Sequence, residues 1–439
     1  MTVEKMGIPA APVVTQVFED LVKAVAYKAG MPKERFTFVP HPVGGKSPSV
    51  LREYILGNDP ITGRPVMEEI IGALTKPLSE EEKKVGFIER PIPRFVEPDT
   101  EENLHRLFLE KGWTDGLPIV LPTEERVADM LKRTSHRPDE VIGKMRPTET
   151  QEDWEYTVEK VAVNAVMAGA RPEYFPVILA LASTQVTALH SSTSSFAAMV
   201  VVNGPIRHEI GMNSGIGALG PFNHANATIG RAYGLLSRNL GGGAIPGKTY
   251  LGSQGNPLNY SSVCFAENEE RSPWEPFHVQ RGFKPDESVV SLFRGRGFSH
   301  LLDVREKTWR QQFLNLVSGI TPATSANLTL LLEPLAARTL KEREHFDTKE
   351  KLSQWFYENS LIPAEVYWDY QLVINYIEPQ ARKGVEPYAS WLKLPKDAMI
   401  PRFADPRGIS VVVVGGETNA YWFAADFSYL KSESVDKWR

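Results

Sequence analysis

The chain has 439 residues, of which 42% are hydrophobic and 23% are charged, and its formal net charge at pH 7 is −5. Acidic and basic residues are interspersed, so no basic face indicates binding to nucleic acid or to anionic lipid. The single cysteine, Cys264, excludes an internal disulfide framework and any multi-cysteine zinc or iron–sulfur site on this chain alone. Small molecules and protein partners are therefore the expected ligands.

The N-terminal part predicts a small α/β segment followed by a linker. The opening sequence MTVEKMGIPAAPVV has no signal-peptide pattern, which predicts a cytoplasmic location. Residues 14–29 carry helical spacing, and RFTFVPHPVGG alternates like a strand that runs into a turn. Residues 76–103 are rich in Glu, Lys and Pro, as is typical of a linker or an extended arm. We therefore predict a docking segment over 1–75, a linker over 76–103 and a main domain over 104–439.

The main domain alternates helical patterns with short apolar runs. PTEERVADMLKR begins with Thr123 as a helix cap, and DTKEKLSQWFYENS begins with Asp347 and Glu350 in a capping-box pattern. The runs SFAAMVVVNGPI, DESVVSLF, ANLTLLLEP and GISVVVVGG are typical of buried strands. This alternation predicts an α/β fold with a mixed or largely parallel sheet flanked by helices.

A loop rich in Gly and Asn precedes one of the predicted helices. Residues 213–234, NSGIGALGPFNHANATIGRAYG, follow a predicted strand and enter a helical pattern. Glycines let the backbone approach a ligand closely, and a helix N-terminus offers unpaired N–H groups to an anion. The alternative is a tight loop whose Asn side chains satisfy their own turns. The residues alone leave both interpretations open.

A second dense segment, YSSVCFAENEERSPWEPFHVQRGF, contains the only thiol and several carboxylates. Cys264 could act as a thiolate if His278 or Arg281 folds back towards it, and Glu267 or Glu269 could transfer protons. The alternative is that Cys264 is a small buried hydrophobic residue and that the acidic run is a solvated turn.

Two further patterns are weaker. A metal-binding alternative would gather His208, Glu209, His224 and Glu267, although their spacing matches no tight motif such as H-E-x-x-H. Gly415 and Gly416 follow the strand-like run ISVVVV, at a position where α/β sheets commonly open a ligand crevice.

Four long motifs resemble bacterial proteins associated with the UGSC domain, whose hallmark is a selenocysteine- or cysteine-Gly-Ser-Cys motif. The motifs are GWTDGLPIVLPTEERVADML, NAVMAGARPEYFPVILA, VVVNGPIRHEIGMNSGIGALGPFNHANATIGRA and CFAENEERSPWEPFHVQRGF, and the similarity runs over about residues 104–420. The N-terminal FEDLVKAVAYKAGMPKERFTFVPHPVGG resembles the closing helix and strand of the UGSC domain itself, without the segment that carries its cysteine motif.

The resemblance implies that this chain is one subunit of a split system. Its partner would be a second subunit that carries the Cys/Sec-Gly-Ser-Cys motif, with residues 1–75 mediating the contact. The expected substrate-binding residues are Asn203, Asn213, Asn226, Arg231, Asn268, Gly415 and Gly416, and the expected catalytic residues are Cys264, Glu267 and Glu269.

The sequence therefore predicts a subunit of a cytoplasmic hetero-oligomeric enzyme. Its substrate would be a small polar or anionic molecule, and its chemistry would be a thiol-dependent redox step or a lyase or hydratase step shared with the partner. Asn203, Asn213, Asn226 and Cys264 are expected to converge on one pocket. The alternatives are a metal-dependent lyase or hydrolase and a non-catalytic stabilising subunit, and the sequence names no cofactor.

Overall fold

A computed structural model describes residues 2–84, 94–145, 155–190, 193–241, 246–247, 250–299, 303–322 and 328–439. The chain divides into two compact units. The described residues up to 98, with 246–247 and 250–251, form the N-terminal unit, and the remaining described residues form the main unit.

The N-terminal unit is built around two short parallel strands. In chain order it contains α1 (Thr2–Lys5), β1 (Val13–Thr15), α2 (Glu19–Lys28), β2 (Thr37–Val39), α3 (Pro48–Leu56) and α4 (Val66–Thr75). Val13 of β1 pairs with Thr37 of β2. The buried Asp59 carboxylate accepts a 2.6 Å hydrogen bond from the Phe38 backbone N–H, which ties the segment before α4 to β2.

The first part of the predicted linker belongs to this unit. The guanidinium of Arg35 forms an ion pair with Glu82 and donates hydrogen bonds of 2.9 Å to the backbone carbonyls of Lys76 and Pro77. Residues 76–84 therefore pack against the N-terminal unit rather than extending away from it. The middle of the predicted linker, 85–93, lies outside the described residues.

The main unit combines one large sheet with helices on both sides. Its strands are β3 (Val141–Lys144), β4 (Glu155–Thr157), β5 (Ala197–Asn203), β6 (Val263–Ala266), β7 (Val289–Ser299), β8 (Thr329–Leu332), β9 (Leu361–Pro363), β10 (Met399–Pro401), β11 (Ser410–Val413) and β12 (Trp422–Ser434). Its helices are α5 (Glu101–Glu110), α6 (Glu124–Leu131), α7 (Val158–Met167), α8 (Phe175–Ser183), α9 (Ile206–Glu209), α10 (His224–Asn239), α11 (Phe277–Gln280), α12 (Trp309–Ser318), α13 (Pro334–Glu342), α14 (Lys349–Asn359), α15 (Ala364–Asp369), α16 (Glu378–Arg382) and α17 (Tyr388–Trp391).

The large sheet has six strands in the order β11-β8-β12-β7-β5-β6 and consists of two similar halves. In the first half, β5 pairs in parallel with β6 and antiparallel with β7. In the second half, β8 pairs in parallel with β11 and antiparallel with β12. The halves join where β7 and β12 pair antiparallel, so the strand arrangement has a two-fold pattern. The predicted α/β fold is confirmed, and its sheet is mixed.

The sheet curls until its two edge strands meet at one end. Just beyond β6, the backbone N–H of Asn268 donates a 2.8 Å hydrogen bond to the carbonyl of Val413 at the end of β11. Side chains from all six strands also converge on one apolar cluster, as expected inside a small barrel. This inner cluster includes Met199, Val201, Phe265, Phe293, Leu331, Val412, Ala425 and Phe427.

The outer faces of the strands are covered by two helical layers. One layer includes α7, α8 and α10, which pack against residues of β5 and β7 such as Val200 and Leu292. The other includes α12, α13 and α14, which pack against residues of β8 and β11 such as Leu330 and Val411. Strands β5, β6, β8 and β11 therefore bury both faces, which explains their continuous apolar runs in the sequence.

The helix starts follow local capping rules. The Thr123 hydroxyl accepts a hydrogen bond from the Arg126 backbone N–H at the start of α6, as the sequence predicts. At α14 the cap is Thr348, whose hydroxyl accepts from the Lys351 N–H, so the predicted cap at Asp347 is wrong by one residue. In the part of the chain that the structure describes, no helix is long and apolar enough to cross a membrane.

Candidate functional site

A pocket of about 260 Å³ opens at the carboxyl-terminal ends of β8 and β11. One wall is the Gly-rich loop over residues 216–220, and the opposite wall is the turn that contains Gly415 and Gly416. Two segments that the sequence marked separately as candidate ligand contacts are therefore brought together. The remaining lining residues are Leu331, Glu333, Val414, Thr418, Tyr421, Trp422 and Phe423.

Three asparagines hold the Gly-rich loop in shape. The buried Asn226 carboxamide accepts a 3.1 Å bond from the Asn213 N–H and donates bonds of 2.9 and 3.1 Å to the carbonyls of Asn213 and Ala218. Asn213 accepts a 2.8 Å bond from the Gly215 N–H, and Asn223 caps α10 by accepting from the Asn226 N–H at 3.0 Å. Of the two interpretations left open by the sequence, this geometry favours asparagines that satisfy the loop itself.

The two walls touch where Ile216 lies over Gly416. A β-carbon added at Gly416 would lie 2.1 Å from Cγ1 of Ile216, so only glycine allows this approach. Gly415 has φ of +104°, a backbone conformation that also favours glycine. Both positions therefore favour glycine for structural reasons, and the two glycines together form the narrow part of the pocket.

Glu333 fixes the turn that forms the second wall. One carboxylate oxygen accepts bonds from the Thr418 N–H at 2.9 Å and the Thr418 hydroxyl at 3.3 Å. The other accepts from the backbone N–H groups of Asn419, at 3.1 Å, and Tyr421. The Glu333 carboxylate is thus occupied by the protein's own donors, and none of the described residues that line the pocket is Lys, Arg or His.

A buried cluster of charged and amide side chains adjoins the pocket, at the carboxyl-terminal ends of β5 and β6. The Asn203 amide donates to Glu267 at 2.6 Å and to Glu269 at 2.8 Å. Lys349 forms a 3.0 Å ion pair with Glu267, and Arg207 forms one of 3.0 Å with Glu269. The predicted residues Asn203, Glu267 and Glu269 therefore do meet, and this charge-rich network closes the barrel end.

Asn268 connects this cluster to the pocket. Its side-chain amide donates a 3.0 Å hydrogen bond to the backbone carbonyl of Gly415, and its own N–H binds Val413. Asn268 also lies between Glu267 and Glu269 in the sequence. The residue that was expected to bind substrate thus holds the pocket turn against the carboxylate cluster.

The two predicted catalytic glutamates have different environments. Glu267 is fully buried, and besides Asn203 and Lys349 it accepts a 2.7 Å bond from the Phe277 N–H. Glu269 retains 12% side-chain exposure, and one of its oxygens lies 4.0 Å from Nδ1 of the buried His278. Glu267 has no access to solvent, so a proton-transfer role for Glu267 is not supported, and Glu269 is the better placed carboxylate.

Glu270 carries the outermost charge of the cluster. Burial opposes its ionisation, but hydrogen bonds from Arg207, from the Glu270 backbone and from His208 outweigh that effect and lower its pKa to about 2. Glu270 is therefore ionised at neutral pH and forms pairs of 2.9 Å with Arg207 and 2.8 Å with His208.

Polar atoms of two cluster residues lack partners. Both ring nitrogens of His278 and the side-chain oxygen of Asn203 are buried without a hydrogen-bond partner within the described parts of the chain.

The structure places Cys264 elsewhere. Its thiol is buried in the apolar cluster beneath α10, where a β-carbon added at Gly230 would lie 3.1 Å from its own β-carbon. Side chains alternate along β6, so Cys264 faces the helices while Phe265 faces the barrel interior. Burial raises the pKa of the thiol. The expectation that Cys264 shares a pocket with Asn203, Asn213 and Asn226 is therefore wrong.

Arg231, which the sequence predicts to bind substrate, contacts other residues of the main unit. Its guanidinium forms a bidentate pair with Asp115, with distances of 2.8 and 2.9 Å, and donates a 2.7 Å bond to the Pro118 carbonyl. Arg231 therefore anchors α10 to the turn before α6.

The residues of the metal-binding alternative contact different partners and do not form one cluster. His208 pairs with Glu270, Glu209 with Arg439, and His224 lies 3.4 Å from the Tyr174 hydroxyl. No group of three or more His, Cys, Asp or Glu side chains that could hold a metal ion is found among the described residues.

Sequence reasoning missed three residues that organise the site. Arg207 comes shortly after β5 in the motif NGPIR, and this position after a strand could have identified it as a site residue. Glu333 likewise follows β8 directly. Lys349 lies 82 positions from Glu267, and nothing in the local sequence indicates that pairing.

Helices over both faces of a mixed, curled sheet define an α/β protein, and its pocket lies at the strand ends. A family model described as the UGSC family matches residues 1–56, which confirms an association with that family for the region from α1 to α3. No curated protein and no solved structure matches the chain.

Proposed function

We propose that this chain is a subunit of a hetero-oligomeric enzyme that binds a small molecule between the Gly-rich loop and the Gly415–Gly416 turn. The observation that carries the proposal is the junction made by Asn268, which joins this pocket to the Asn203–Glu267–Glu269 cluster. Ligand crevices at strand ends beside titratable groups are the usual form of an active site in α/β proteins.

Glu269 is the proposed proton-transfer residue. Its carboxylate is held by Asn203, by Arg207 and by a 2.8 Å bond from the Gly204 N–H, yet its side chain still reaches solvent. Glu267, Lys349 and Asn203 position it. Both a reductive cleavage and a lyase or hydratase step fit such an arrangement.

The thiol is proposed to come from a partner subunit that carries the Cys/Sec-Gly-Ser-Cys motif. Two observations support this. Cys264 is buried and its pKa is raised, so it is poorly suited to thiolate chemistry. The N-terminal unit matches the UGSC family model over residues 1–56, and beyond that match it exposes apolar side chains of α4 at helical spacing, namely Met67, Ile71 and Leu74.

Co-purification tests the partner. The full chain is co-expressed with a protein from the same genome that carries the Gly-Ser-Cys motif, and the two should elute as one complex in size-exclusion chromatography with light scattering. Ile71→Glu should weaken the complex, because it places a charge in an apolar interface. Val385→Glu, an equally drastic change at an exposed apolar residue of the main unit, is the control. Separate elution of two stable proteins would contradict the proposal.

A stabilising, non-catalytic subunit remains the competing function. Replacing Glu269 by Gln separates the two, because the amide keeps the size of the side chain but cannot exchange the proton. If the complex forms normally and its activity falls by at least about 100-fold, Glu269 is catalytic. Undiminished activity of a Glu269→Gln complex would favour the stabilising role.

A further inference from the structure

The Gly-rich pocket differs in chemistry from the charged cluster beside it. Its side-chain lining is mainly aliphatic and aromatic, with Ile216, Leu219, Leu331, Val414 and Phe423 among the contributors. Its acidic residue, Glu333, is already hydrogen-bonded to the turn from Thr418 to Tyr421.

Among the residues that the structure describes, none that lines the pocket offers a cation to a charged ligand. Three arginines lie near its outer turn, and each is paired. Arg338 forms a pair of 2.7 Å with Glu417 and Arg271 one of 3.4 Å with the same carboxylate. Arg305 pairs with Asp303 and donates a 3.1 Å bond to the Asn419 carbonyl. An anion that entered the apolar pocket would lose its hydration without gaining a pairing charge, and that cost is large. A cation would meet a carboxylate whose oxygens already accept several bonds.

We propose that the pocket binds a small neutral molecule with a flat apolar body and an uncharged polar end. This inference rests on the proposed function and narrows its substrate from polar or anionic to neutral. The volume sets the size: a cavity of about 150 Å³ holds benzene, so 260 Å³ suits a ligand of roughly ten non-hydrogen atoms. The polar end would bond to backbone groups of the two walls other than those of Gly415, whose N–H and carbonyl are already bonded to Ser214 and Asn268.

Ile216 and Gly416 determine how wide a ligand the pocket accepts. The outer side of the Ile216 side chain is largely exposed to solvent. Its inner side lines the pocket and contacts Gly416. Any side chain at Gly416 must push Ile216 and the loop away or fill the narrow part of the pocket itself. The pair is therefore the specificity-determining contact of the site.

Benzamide and benzoate form a matched pair of probes, because they share size and shape and differ in charge. Binding to the full chain is measured by isothermal titration calorimetry and by the shift in melting temperature. Benzamide should bind, and benzoate should bind at least about tenfold more weakly. Equal or tighter binding of benzoate, or no binding of benzamide up to its solubility limit, would overturn the proposal.

Variants locate the binding. Gly416→Val should reduce benzamide affinity by at least about tenfold, since it fills the pocket. Ile216→Ala removes a wall from an exposed position that is not needed for folding, and it should also weaken benzamide. Val385→Ala is the control, because Val385 is an exposed apolar residue of the main unit that does not line the pocket.

The outcomes separate the two proposals. If Ile216→Ala binds benzamide as the unmodified chain does, the ligand lies elsewhere and the pocket assignment is wrong. If benzamide fails to bind while the partner complex still forms and depends on Glu269, only the ligand class is wrong. If benzamide binds as described and no partner complex forms, the neutral pocket stands and the proposed function fails.

Discussion

At the scale of single residues, the Glu267–Lys349 pair shows how the barrel end is held. Both side chains are almost completely buried, and Glu267 also binds Asn203 and the Phe277 backbone. Such a pair adds little net stability over apolar residues, yet removal of one partner leaves a buried charge without compensation. The pair therefore acts through the geometry that it imposes on Asn203 and, through Asn203, on Glu269.

Lys349→Met should lower the free energy of unfolding by about 3–5 kcal/mol, because it leaves the buried Glu267 carboxylate unpaired. Lys351→Met, two residues along the same helix, breaks an exposed pair with Asp347 and should cost less than about 1 kcal/mol. Urea unfolding followed by circular dichroism measures both. Similar losses for the two variants would contradict the structural role of the buried pair.

Glu270 makes stability depend on pH in a defined direction. Its pKa is lowered in the folded chain from an ordinary value of 4.5 to about 2, so its stabilising contribution is present above pH 4.5 and is lost as pH falls towards 2. Glu270→Gln should therefore melt below the unmodified chain at pH 5, and the gap should shrink by pH 3. Glu275→Gln, which removes an exposed carboxylate from the same segment, is the control variant.

The buried thiol gives a direct chemical test. Cys264 should resist iodoacetamide at neutral pH in the folded chain, because burial raises its pKa and blocks access. Complete labelling should follow only after unfolding in guanidinium, as measured by intact-mass spectrometry. Rapid labelling of the folded chain, at the rate of a small free thiol, would restore Cys264 as a candidate nucleophile.

At the scale of elements, α10 and β6 approach unusually closely. A β-carbon at Gly230 would lie 2.3 Å from the Ser261 carbonyl and 2.8 Å from that of Ser262. One turn later, a β-carbon at Gly234 would lie 4.0 Å from the Ser262 hydroxyl, which is ordinary contact. The helix therefore touches the strand at Gly230, and this contact sets the position of the Asn226 end of α10.

Gly230→Ala should destabilise the chain by about 1–3 kcal/mol, because the methyl group forces α10 away from β6. Gly234→Ala should be neutral or stabilising by up to about 1 kcal/mol, since alanine is the better helix former. Both values come from urea unfolding at equal protein concentration. A stabilised Gly230→Ala variant would show that the close contact does not exist in solution.

The sequence was informative for elements that follow local rules. The apolar runs predicted β5, β7, β8 and β11, because strands buried on both faces need no polar alternation. It did not predict β12, whose sequence WFAADFSYLKSES mixes polar and apolar residues and gains its structure from pairing with β7. The sequence predicted Asp347 instead of Thr348 as the cap of α14 because Asp and Thr can both cap a helix.

The site was partly predictable for the same reason. Asn203 ends β5, Glu267 directly follows β6, and Gly415 lies just beyond β11, so their position at the barrel end follows from the strands that precede them. The sequence could not assign Cys264 to one face of β6, because β6 is buried on both faces and the neighbours Val263 and Phe265 are also apolar. Which face holds the thiol depends on strand pairing, which is a non-local property.

At the scale of the whole main unit, the two halves depend on each other. The inner cluster takes side chains from all six strands, so neither half can complete it alone. The long pairing between β7 and β12 joins the halves at their centre, where Gly295 allows the strands to approach: a β-carbon there would lie 1.8 Å from the Asp426 carbonyl. The two halves therefore share the same strand arrangement but are not independent domains.

This dependence predicts the behaviour of the separated halves. A chain cut after residue 300 yields a first piece with β5, β6 and β7 and a second with β8, β11 and β12. Each piece alone exposes one face of three strands, and the apolar surface that it leaves unburied should prevent cooperative folding. Co-expressed, the pieces should assemble and unfold in one transition, as followed by circular dichroism and light scattering. A cooperative unfolding transition in either piece alone would show that the halves are domains in their own right. The pocket, whose walls come from both halves, would then lose the fixed junction at Asn268 on which the proposed function depends.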